Sequence, residues 1–382
     1  MHGLRWLLLL GVCVALGCAS ARFDAGRARF YEGRPADAVS ALDDTHVGDR
    51  NRVLLLMERG MARQVGGDYS GSSADFNAAA AAIEALDYIS LTRGTASMVI
   101  NDRTLAFRGA LYEQALLHAF CAQNYFALGL WDDAAVEARV LVDRMDDLDG
   151  FPDEPYSRYV AAVAYALINN ADNAAIEYAK VDELLKTLTV DARDGSLQPA
   201  AAEGDVLPVA PQSSGRDSAE LICFLGMGRT PSESDYPRYA RAWNRAAYAD
   251  ILVDGRVLGR TYPFSNTARL LAATEARRAA MKAVKTVGRI VVKEVIASSV
   301  SEHDSLLGQL LRMALYASEV PDTRHWETLP LLLQVGRMPC PSTLTQYTLV
   351  FRDGAGRKVS ERTVTAPITR RNNTFVSFVR EL

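Results

Sequence analysis

Residues 26–42 read GRARFYEGRPADAVSAL, and this stretch decides how the first half of the chain folds. Small residues, Gly26 and Ala38, stand where the two helices of a hairpin would cross, and Leu42 follows as a large apolar residue. Gly33 stands between the two helices, where glycine can adopt the left-handed conformation that ends a helix. The stretch therefore predicts a helix–turn–helix unit.

The same unit recurs along the alanine-rich first half of the chain, with its turn position at Gly67, Gly129 and Asn169. Gly67 lies 34 residues after Gly33, and 34 residues is the period of tetratricopeptide (TPR) repeats. The spacing between the second and third units is longer than one period. We predict a TPR-like α-helical repeat domain over residues 18–186, whose surface binds a protein partner. Irregular helical hairpins without a regular superhelix are the alternative.

The second half of the chain changes to the alternation typical of strands. The predicted strands are Glu220–Met227, Leu331–Met338, Gln346–Arg352, Lys358–Val364 and Thr374–Arg380. Residues Ala249–Tyr262 are predicted as a hairpin, because Asp254-Gly255 is a strong two-residue turn signal. We therefore predict an antiparallel β-sandwich-like domain over residues 219–382, and the predicted fold class is α+β. Residues 187–218 contain three prolines and no sustained period, which predicts a linker or an exposed loop.

A helical insertion over residues 266–318 is predicted between the strands. From Ala268 to Ser298, apolar and basic residues recur at three- and four-residue steps on opposite faces. The basic face consists of Arg278, Lys282, Lys285, Arg289 and Lys293. Such a cationic amphipathic helix fits anionic lipid headgroups, an acidic glycan or the acidic first half of the chain. A solvated face that only covers the core is the alternative.

The two halves carry opposite charge. Residues 19–221 contain 18 Lys and Arg against 32 Asp and Glu, a balance of −14, whereas residues 222–382 contain 23 against 14, a balance of +9. This asymmetry predicts separate domains that dock on each other or face different partners. The overall composition, 49% hydrophobic and 23% charged, excludes a disordered chain. We expect no nucleic acid among the partners.

The N-terminus has the pattern of a secretory signal. Residues 1–17 contain one basic residue, Arg5, followed by an apolar run that is too short for a membrane span. The ending ALGC resembles the lipobox of bacterial lipoproteins, which implies acylation of Cys18 and a lipid anchor in the membrane. Ala19, rather than Asp, after this cysteine implies the outer membrane, with the protein facing the periplasm. An ordinary signal peptide with a coincidental cysteine is the alternative.

The remaining cysteines do not form a recognisable framework. Cys121, Cys223 and Cys340 are an odd number on separate elements with no CxxC pair, which speaks against a disulfide scaffold and against a zinc site. Cys223 and Cys340 fall in strands of one domain and are able to pair, although buried thiols are the favoured interpretation. We expect no metal and no cofactor.

Residues 321–330 read PDTRHWETLP, a run dense in reactive side chains. An enzyme needs a nucleophile, a base and an orienting group, or a metal set. The histidines are scattered, and the motifs HExxH, GxSxG and SxxK are absent from the sequence. We therefore predict no enzyme; a hydrolase built from Asp322, His325 and a distant serine is a minor alternative. Residues 226–231, GMGRTP, lack the third glycine of a phosphate loop and are predicted as a turn at a strand end.

The lipobox, the helical repeats and these two motifs together resemble an uncharacterised family of bacterial envelope lipoproteins. Its Gly-Arg-x-Pro turn is matched by Gly228, Arg229 and Pro231. Its Asp-Thr-Arg-x-Trp-x-x-Leu-Pro motif is matched by Asp322, Thr323, Arg324, Trp326, Leu329 and Pro330, and His325 stands at a variable position. The resemblance implies no established activity. Relatives that look to be encoded beside activators of penicillin-binding proteins imply peptidoglycan synthesis, and hence a cell-wall enzyme as a possible partner.

These observations favour a non-catalytic, lipid-anchored envelope protein that acts as a protein–protein interaction scaffold through its TPR-like repeats. A regulatory subunit or activator in peptidoglycan or envelope synthesis is the alternative, and an envelope hydrolase is the less favoured one. Residues 321–330 are predicted to be a structural corner, with a partner-binding epitope or a catalytic site as alternatives. In that corner we expect Trp326 to close one end of the sandwich, and Arg324 to pair with Asp322 or to cap the preceding helix.

Overall fold

The computed structural model describes residues 23–42, 48–93, 106–146, 154–199, 218–230, 246–277 and 324–382. Within these ranges the first half is helical and the second half is mainly β-sheet, which confirms the mixed α and β composition expected from the sequence. The helices of the first half are α1 (23–31), α2 (Pro35–Leu42), α3 (Arg52–Val65), α4 (Tyr69–Arg93), α5 (Leu111–Leu128), α6 (Trp131–Asp146), α7 (Pro155–Leu167) and α8 (Ala171–Leu184).

These helices pair as consecutive hairpins, α1–α2, α3–α4, α5–α6 and α7–α8. Each pair is joined through a residue with a positive φ, and these residues are Gly33, Gly67, Gly129 and Asn169. All are turn positions predicted from the sequence, so the hairpin arrangement is confirmed. The assignment of the hairpins to the TPR class stays a prediction.

Glycine at the helix crossings has a packing reason in the first two hairpins. A Cβ atom on Gly26 would lie 2.6 Å from Cγ of Leu42, and one on Gly60 would lie 2.5 Å from Cε1 of Phe76. Each large side chain is fully or almost fully buried against the glycine of the partner helix. The predicted pairing of small and large residues therefore sets how closely the two helices approach.

The second half consists of strands and one described helical stretch, α9 (267–277). The strands are β1 (Leu188–Val190), β2 (Leu197–Pro199), β3 (Ser218–Met227), β4 (Tyr248–Val253), β5 (Arg256–Arg260), β6 (Tyr262–Asn266), β7 (Leu332–Pro341), β8 (Tyr347–Arg352), β9 (Lys358–Val364), β10 (Ile368–Arg371) and β11 (Thr374–Glu381). The predicted hairpin turn is confirmed: Asp254 and Gly255, with φ of 48° and 76°, join β4 to β5.

The strands form two large sheets, one with the order β10-β11-β3-β7-β6 and one with the order β5-β4-β8-β9. Alternate residues of the central strand β3 face opposite layers. Cys223 and its neighbours two residues away pack toward the four-stranded sheet, against Ile251 and Phe351. Ile222 and Phe224 pack toward the helices. The five-stranded sheet is therefore the middle of three layers, and its helix-facing side shares one apolar core with the helical half.

Three details differ from the sequence predictions. Strand β11 pairs with β3 in parallel, so the five-stranded sheet is not wholly antiparallel. Within the predicted linker, β1 and β2 form an antiparallel pair whose residues Leu188 and Val190 are buried against the helical half, so residues 188–199 are a packed hairpin. Strands β6 and β10 were not predicted: β6 contains Pro263, which the sheet tolerates at an edge beside a register shift, and β10 has only four residues.

Several predictions lie outside the described residues. These are the signal and Cys18, residues 200–217 of the predicted linker, the residues Pro231, Asp322 and Thr323, and the basic face Arg278, Lys282, Lys285, Arg289 and Lys293. The predicted insertion is helical over residues 267–277, the part that is described. In the part of the chain that the structure covers, no helix combines the length and the apolar character that a membrane span requires.

Candidate functional site

Residues 324–330, which we call the junction segment, lie between the helical half and the five-stranded sheet. The Glu58 carboxylate of α3 accepts hydrogen bonds from the backbone amides of Glu327 at 3.1 Å and Thr328 at 3.2 Å. The Tyr31 hydroxyl of α1 donates to the Glu327 carbonyl at 2.5 Å, and burial raises the pKa of this tyrosine. The backbone of the segment is thus bound as a peptide by side chains of the helical half.

Trp326 is the apolar anchor of the junction segment. Its side chain is fully buried, and its ring makes edge contacts with Phe76 at 5.7 Å and Phe120 at 5.9 Å between centroids. The indole Nε1 donates to the Thr328 hydroxyl at 2.9 Å, and the Trp326 backbone amide donates to the Glu113 carboxylate at 2.6 Å. A buried tryptophan with its N–H satisfied fixes the position of the segment on the helices.

Charged side chains close around the next residue, Glu327. Arg27 donates to Glu58 at 2.7 and 2.9 Å and to Glu327 at 2.8 Å, while Arg229 lies 3.5 Å from the other oxygen of Glu327. Burial by itself lowers the pKa of Arg27, but the Glu58 and Glu327 carboxylates outweigh it and raise the pKa. The two arginines and two carboxylates form a compact, mutually neutralised network.

The two sequence motifs meet where the helical half contacts the five-stranded sheet, although about a hundred residues separate them. We call this contact region the joint. Thr230, next to Gly228 and Arg229, donates through its hydroxyl to the Leu329 carbonyl at 2.9 Å, and its amide donates there at 3.3 Å. A Cβ atom on Gly226 would lie 2.7 Å from Pro330. The described residues of the two motifs, Gly228, Arg229, Arg324, Trp326, Leu329 and Pro330, therefore lie in one joint.

The predicted contact of Trp326 is corrected, whereas the predicted pairing of Arg324 with Asp322 or with the preceding helix lies outside the described residues. Trp326 does not close one end of the sandwich, because its ring is inserted among the helices. Arg324 donates to the Arg50 carbonyl at 3.0 Å and to Asn51 Oδ1 at 2.8 Å, at the start of α3, so it binds a helix of the first half. The corner joins the helical half to the sheet.

A second buried contact joins the same two parts. Glu154, at the N-terminus of α7, accepts hydrogen bonds from the amides of Tyr156 at 3.0 Å and Ser157 at 2.7 Å. Its carboxyl also accepts a hydrogen bond from the Ser265 hydroxyl on β6. Burial raises the pKa of Glu154, and the hydrogen bonds offset this only in part.

A polar cavity of about 380 Å³ lies on the outward face of the four-stranded sheet. Arg352 donates to the Asp250 carboxylate, and Nε of Arg260 lies 3.7 Å from the other oxygen of Asp250. The Arg260 guanidinium also stacks 4.6 Å above the ring of Tyr248. In contrast to the joint, this arginine–carboxylate cluster borders open space.

No motif in the sequence indicates this cavity. Its members are spread over residues 248–356 and no motif connects them. The one sequence feature that could have indicated the cavity is the β4–β5 hairpin, because its register places Arg260 opposite Asp250. Arg352 joins them only through the pairing of β4 with β8, which the sequence did not reveal.

The second helices of the hairpins turn apolar side chains outward. Val136 on α6 is 57% exposed and Ile176 on α8 is 52% exposed, and each is the sixth residue of its helix. Acidic residues are exposed one or two turns away on the same helices, and they are Asp132, Asp133, Asp143, Asp172 and Glu183. The outer face of these two helices is therefore apolar at its centre and mainly acidic around it, with Arg139 as an exposed basic residue one turn from Val136.

The described cysteines are buried free thiols, as the sequence analysis favoured. Burial raises the pKa of Cys223 and of Cys340 to about 12, so neither thiol ionises near neutral pH. Cys340 pairs in register with Ala219, four residues from Cys223. Among the residues that the structure describes, no group of three or more His, Cys, Asp or Glu side chains is arranged to hold a metal ion.

No protein-family model matches the sequence, and no curated protein matches it. The Rap conjugation gene regulator of the plasmid pLS20, in complex with the Phr* peptide, is 11% identical over 42% of this chain, with a TM-score of 0.30; the match covers 40% of the regulator's length. MamA MSR-1 C2 and MamA 41-end from Desulfovibrio magneticus RS-1 are each 18% identical over 43% and 44% of this chain and 94% of their own, with TM-scores of 0.19 and 0.21. At TM-scores this low, none of these similarities assigns a function to the chain.

Proposed function

We propose that the protein is a non-catalytic, lipid-anchored envelope protein that acts as a protein–protein interaction scaffold, and that its partner binds the outer face of α6 and α8. The observation that carries the proposal is the contrast between the two sides of the helical half. The inner side, formed by α1, α3, α5 and α7, is covered by the junction segment and the five-stranded sheet. The outer side leaves Val136 and Ile176 more than half exposed.

The chemistry of the outer face defines the kind of partner. Exposed aliphatic side chains at equivalent positions of two hairpins favour a partner that presents apolar side chains. The surrounding carboxylates favour a partner with lysine or arginine around those apolar side chains, because complementary charge guides association. The partner is therefore a protein with a basic, partly apolar surface.

In the test, residue 136 or residue 176 of the full-length chain is replaced with a photo-crosslinking amino acid. The variant is produced in its native cell envelope and crosslinked there by light. We expect the same protein to be captured from both positions. The matched control is Val359 on β9, which belongs to the four-stranded sheet and not to the helical half. Its side chain is 40% exposed. With the crosslinker at residue 136, Ile176→Lys should lose the captured protein, whereas Val359→Lys should keep it. Capture of the same protein from position 359 would contradict the proposed surface.

The lipid anchor is tested separately, by the incorporation of labelled fatty acid into the full-length chain. We expect incorporation into the wild type and none into Cys18→Ala. If the partner captured through position 136 is a peptidoglycan enzyme that responds to the purified protein, the role is that of the regulatory subunit. Peptidoglycan turnover by the purified protein that His325→Ala abolishes in a folded variant would overturn the non-catalytic proposal.

A further inference from the structure

The cavity on the four-stranded sheet has a net positive lining. The charged groups that border it are Arg260, Arg352 and Asp250, so one carboxylate faces two guanidinium groups. Asp250 is buried, with 6% of its surface exposed, and the arginine side chains are 26% and 31% exposed. One positive charge is therefore left without a counter-charge in the cavity lining.

The two arginines also keep hydrogen-bond donors for a ligand. A guanidinium group has five N–H donors in a planar fork. Arg352 uses Nε on Asp250 and Nη1 on the Gly356 carbonyl at 3.0 Å, which leaves Nη2. Nε of Arg260 lies 3.7 Å from Asp250, and among the described residues neither of the Arg260 Nη atoms makes a hydrogen bond. Donors of this kind pair readily with the oxygens of an anion.

The cluster is held in place before any ligand arrives. The Arg260 guanidinium stacks on the ring of Tyr248 and lies 3.7 Å from Asp250, its partner in the strand register. Arg352 is fixed through its two hydrogen bonds, one of them to the β8–β9 turn. A preorganised arginine pair loses little side-chain freedom on binding, which increases affinity.

The space is suited to a small molecule. Ligand-binding cavities in proteins typically have volumes of roughly 300–1,000 Å³. The present cavity, at about 380 Å³, is at the lower end of this range. Gly356, with a φ of 77°, borders it without a side chain, and a Cβ atom there would lie 3.6 Å from the Tyr248 hydroxyl.

We propose that this cavity is a binding site for the oxyanion group of a small ligand, held between Arg260 and Arg352. A carboxylate and a phosphate share the chemistry that the two guanidinium groups recognise. The site is independent of the proposed scaffold surface, because it lies on the sheet farthest from the helices.

The test is isothermal titration calorimetry of the full-length chain, with sodium phosphate in one arm and N-acetylglycine in the other. N-acetylglycine amide, which lacks the charge, is the uncharged control. We expect millimolar or tighter binding in at least one arm and no binding of the amide. The arm that binds identifies the oxyanion class.

Variants assign the binding to the cavity. Arg260→Gln should weaken the binding by about tenfold or more, since it removes a charge-assisted contact. Arg260→Lys should weaken it less, because the charge remains without the fork, and it guards against misfolding of the glutamine variant. Arg193→Gln is the matched control, since this exposed arginine also pairs with one aspartate, Asp191. Absence of binding in both arms, or equal weakening by Arg193→Gln, would overturn the proposal.

Discussion

Two arginine–carboxylate clusters occupy opposite sides of the five-stranded sheet, and they differ in what they leave unused. In the joint, Arg27 and Arg229 neutralise Glu58 and Glu327, and the Glu58 carboxylate accepts hydrogen bonds from two backbone amides as well. In the sheet cavity, one carboxylate, Asp250, faces two arginines that retain free donors within the described structure. Reactive residues alone do not mark a ligand site; unused donors beside open space do.

The joint and the sheet cavity also show that a conspicuous sequence motif and an open ligand site need not coincide. The run that contains Arg324 and Trp326 is conspicuous in the sequence. However, the Arg324 guanidinium and the Trp326 amide donate hydrogen bonds to other parts of the same chain. It serves as an internal ligand for the helical half. The cavity carries no motif but keeps its chemistry available to other molecules.

Trp326→Ala should have the largest effect on this contrast. Removing a fully buried aromatic side chain from between Phe76 and Phe120 is expected to lower the free energy of unfolding by about 3–5 kcal/mol. Urea denaturation of the full-length chain measures the change. Val359→Ala, at an exposed position of the other sheet, should shift the midpoint very little. An unchanged midpoint for Trp326→Ala would mean that the junction segment does not hold the two halves together.

Glu58→Gln should have the next largest effect. The variant keeps the size of the side chain but removes the charge that Arg27 and the amides of Glu327 and Thr328 share. Hydrogen bonds to charged groups contribute about 1.5–3 kcal/mol, and we expect a loss of this order. The control is Asp37→Asn, which breaks an exposed ion pair with Arg34 and should leave the urea midpoint unchanged. Equal shifts for the two variants would show that burial adds nothing to the joint.

The elements that could be predicted from the sequence are those with a local signal. Strand Lys358–Val364 was predicted with its observed bounds, and the hairpin turns at Gly33 and Gly129 follow from single residues that tolerate a positive φ. The resemblance, rather than any periodicity, identified Trp326 and Arg229 as members of motifs. Local pattern thus predicted most of the described helices and strands.

What the sequence could not predict are contacts between distant segments. Arg324 binds Arg50 and Asn51, about 270 residues earlier, and no spacing rule connects them. The parallel pair of β3 with β11 likewise joins segments that are separated by the whole second half. These contacts depend on how the two halves pack, and this packing placed Trp326 among helices rather than at the end of the sandwich.

Arg260→Gln tests whether the arginines of the cavity contribute less to stability than the arginines of the joint. Because this arginine is partly exposed and lies 3.7 Å from Asp250, its loss should cost less than about 1 kcal/mol of unfolding free energy. Arg27→Gln, the matched change in the joint, should cost more, since it leaves Glu58 buried without its cation. Urea denaturation of both variants gives the two values. If Arg260→Gln proved as destabilising as Arg27→Gln, the cavity would be a structural cluster like the joint.

Glu154→Gln is best detected as a change in how the unfolding free energy depends on pH. Burial raises the pKa of Glu154 above its ordinary value of 4.5, so the folded protein holds this proton more tightly than the unfolded chain. The stabilisation from the protonated carboxyl is complete below pH 4.5 and is lost as the pH rises through the raised pKa. Glutamine cannot ionise, so the urea midpoint of the variant should fall less than that of the wild type between pH 4 and pH 7. Parallel curves for the two proteins would mean that the hydrogen bonds from Ser157 and Ser265 compensate the burial in full, and that this second joint tolerates a charge as the first one does.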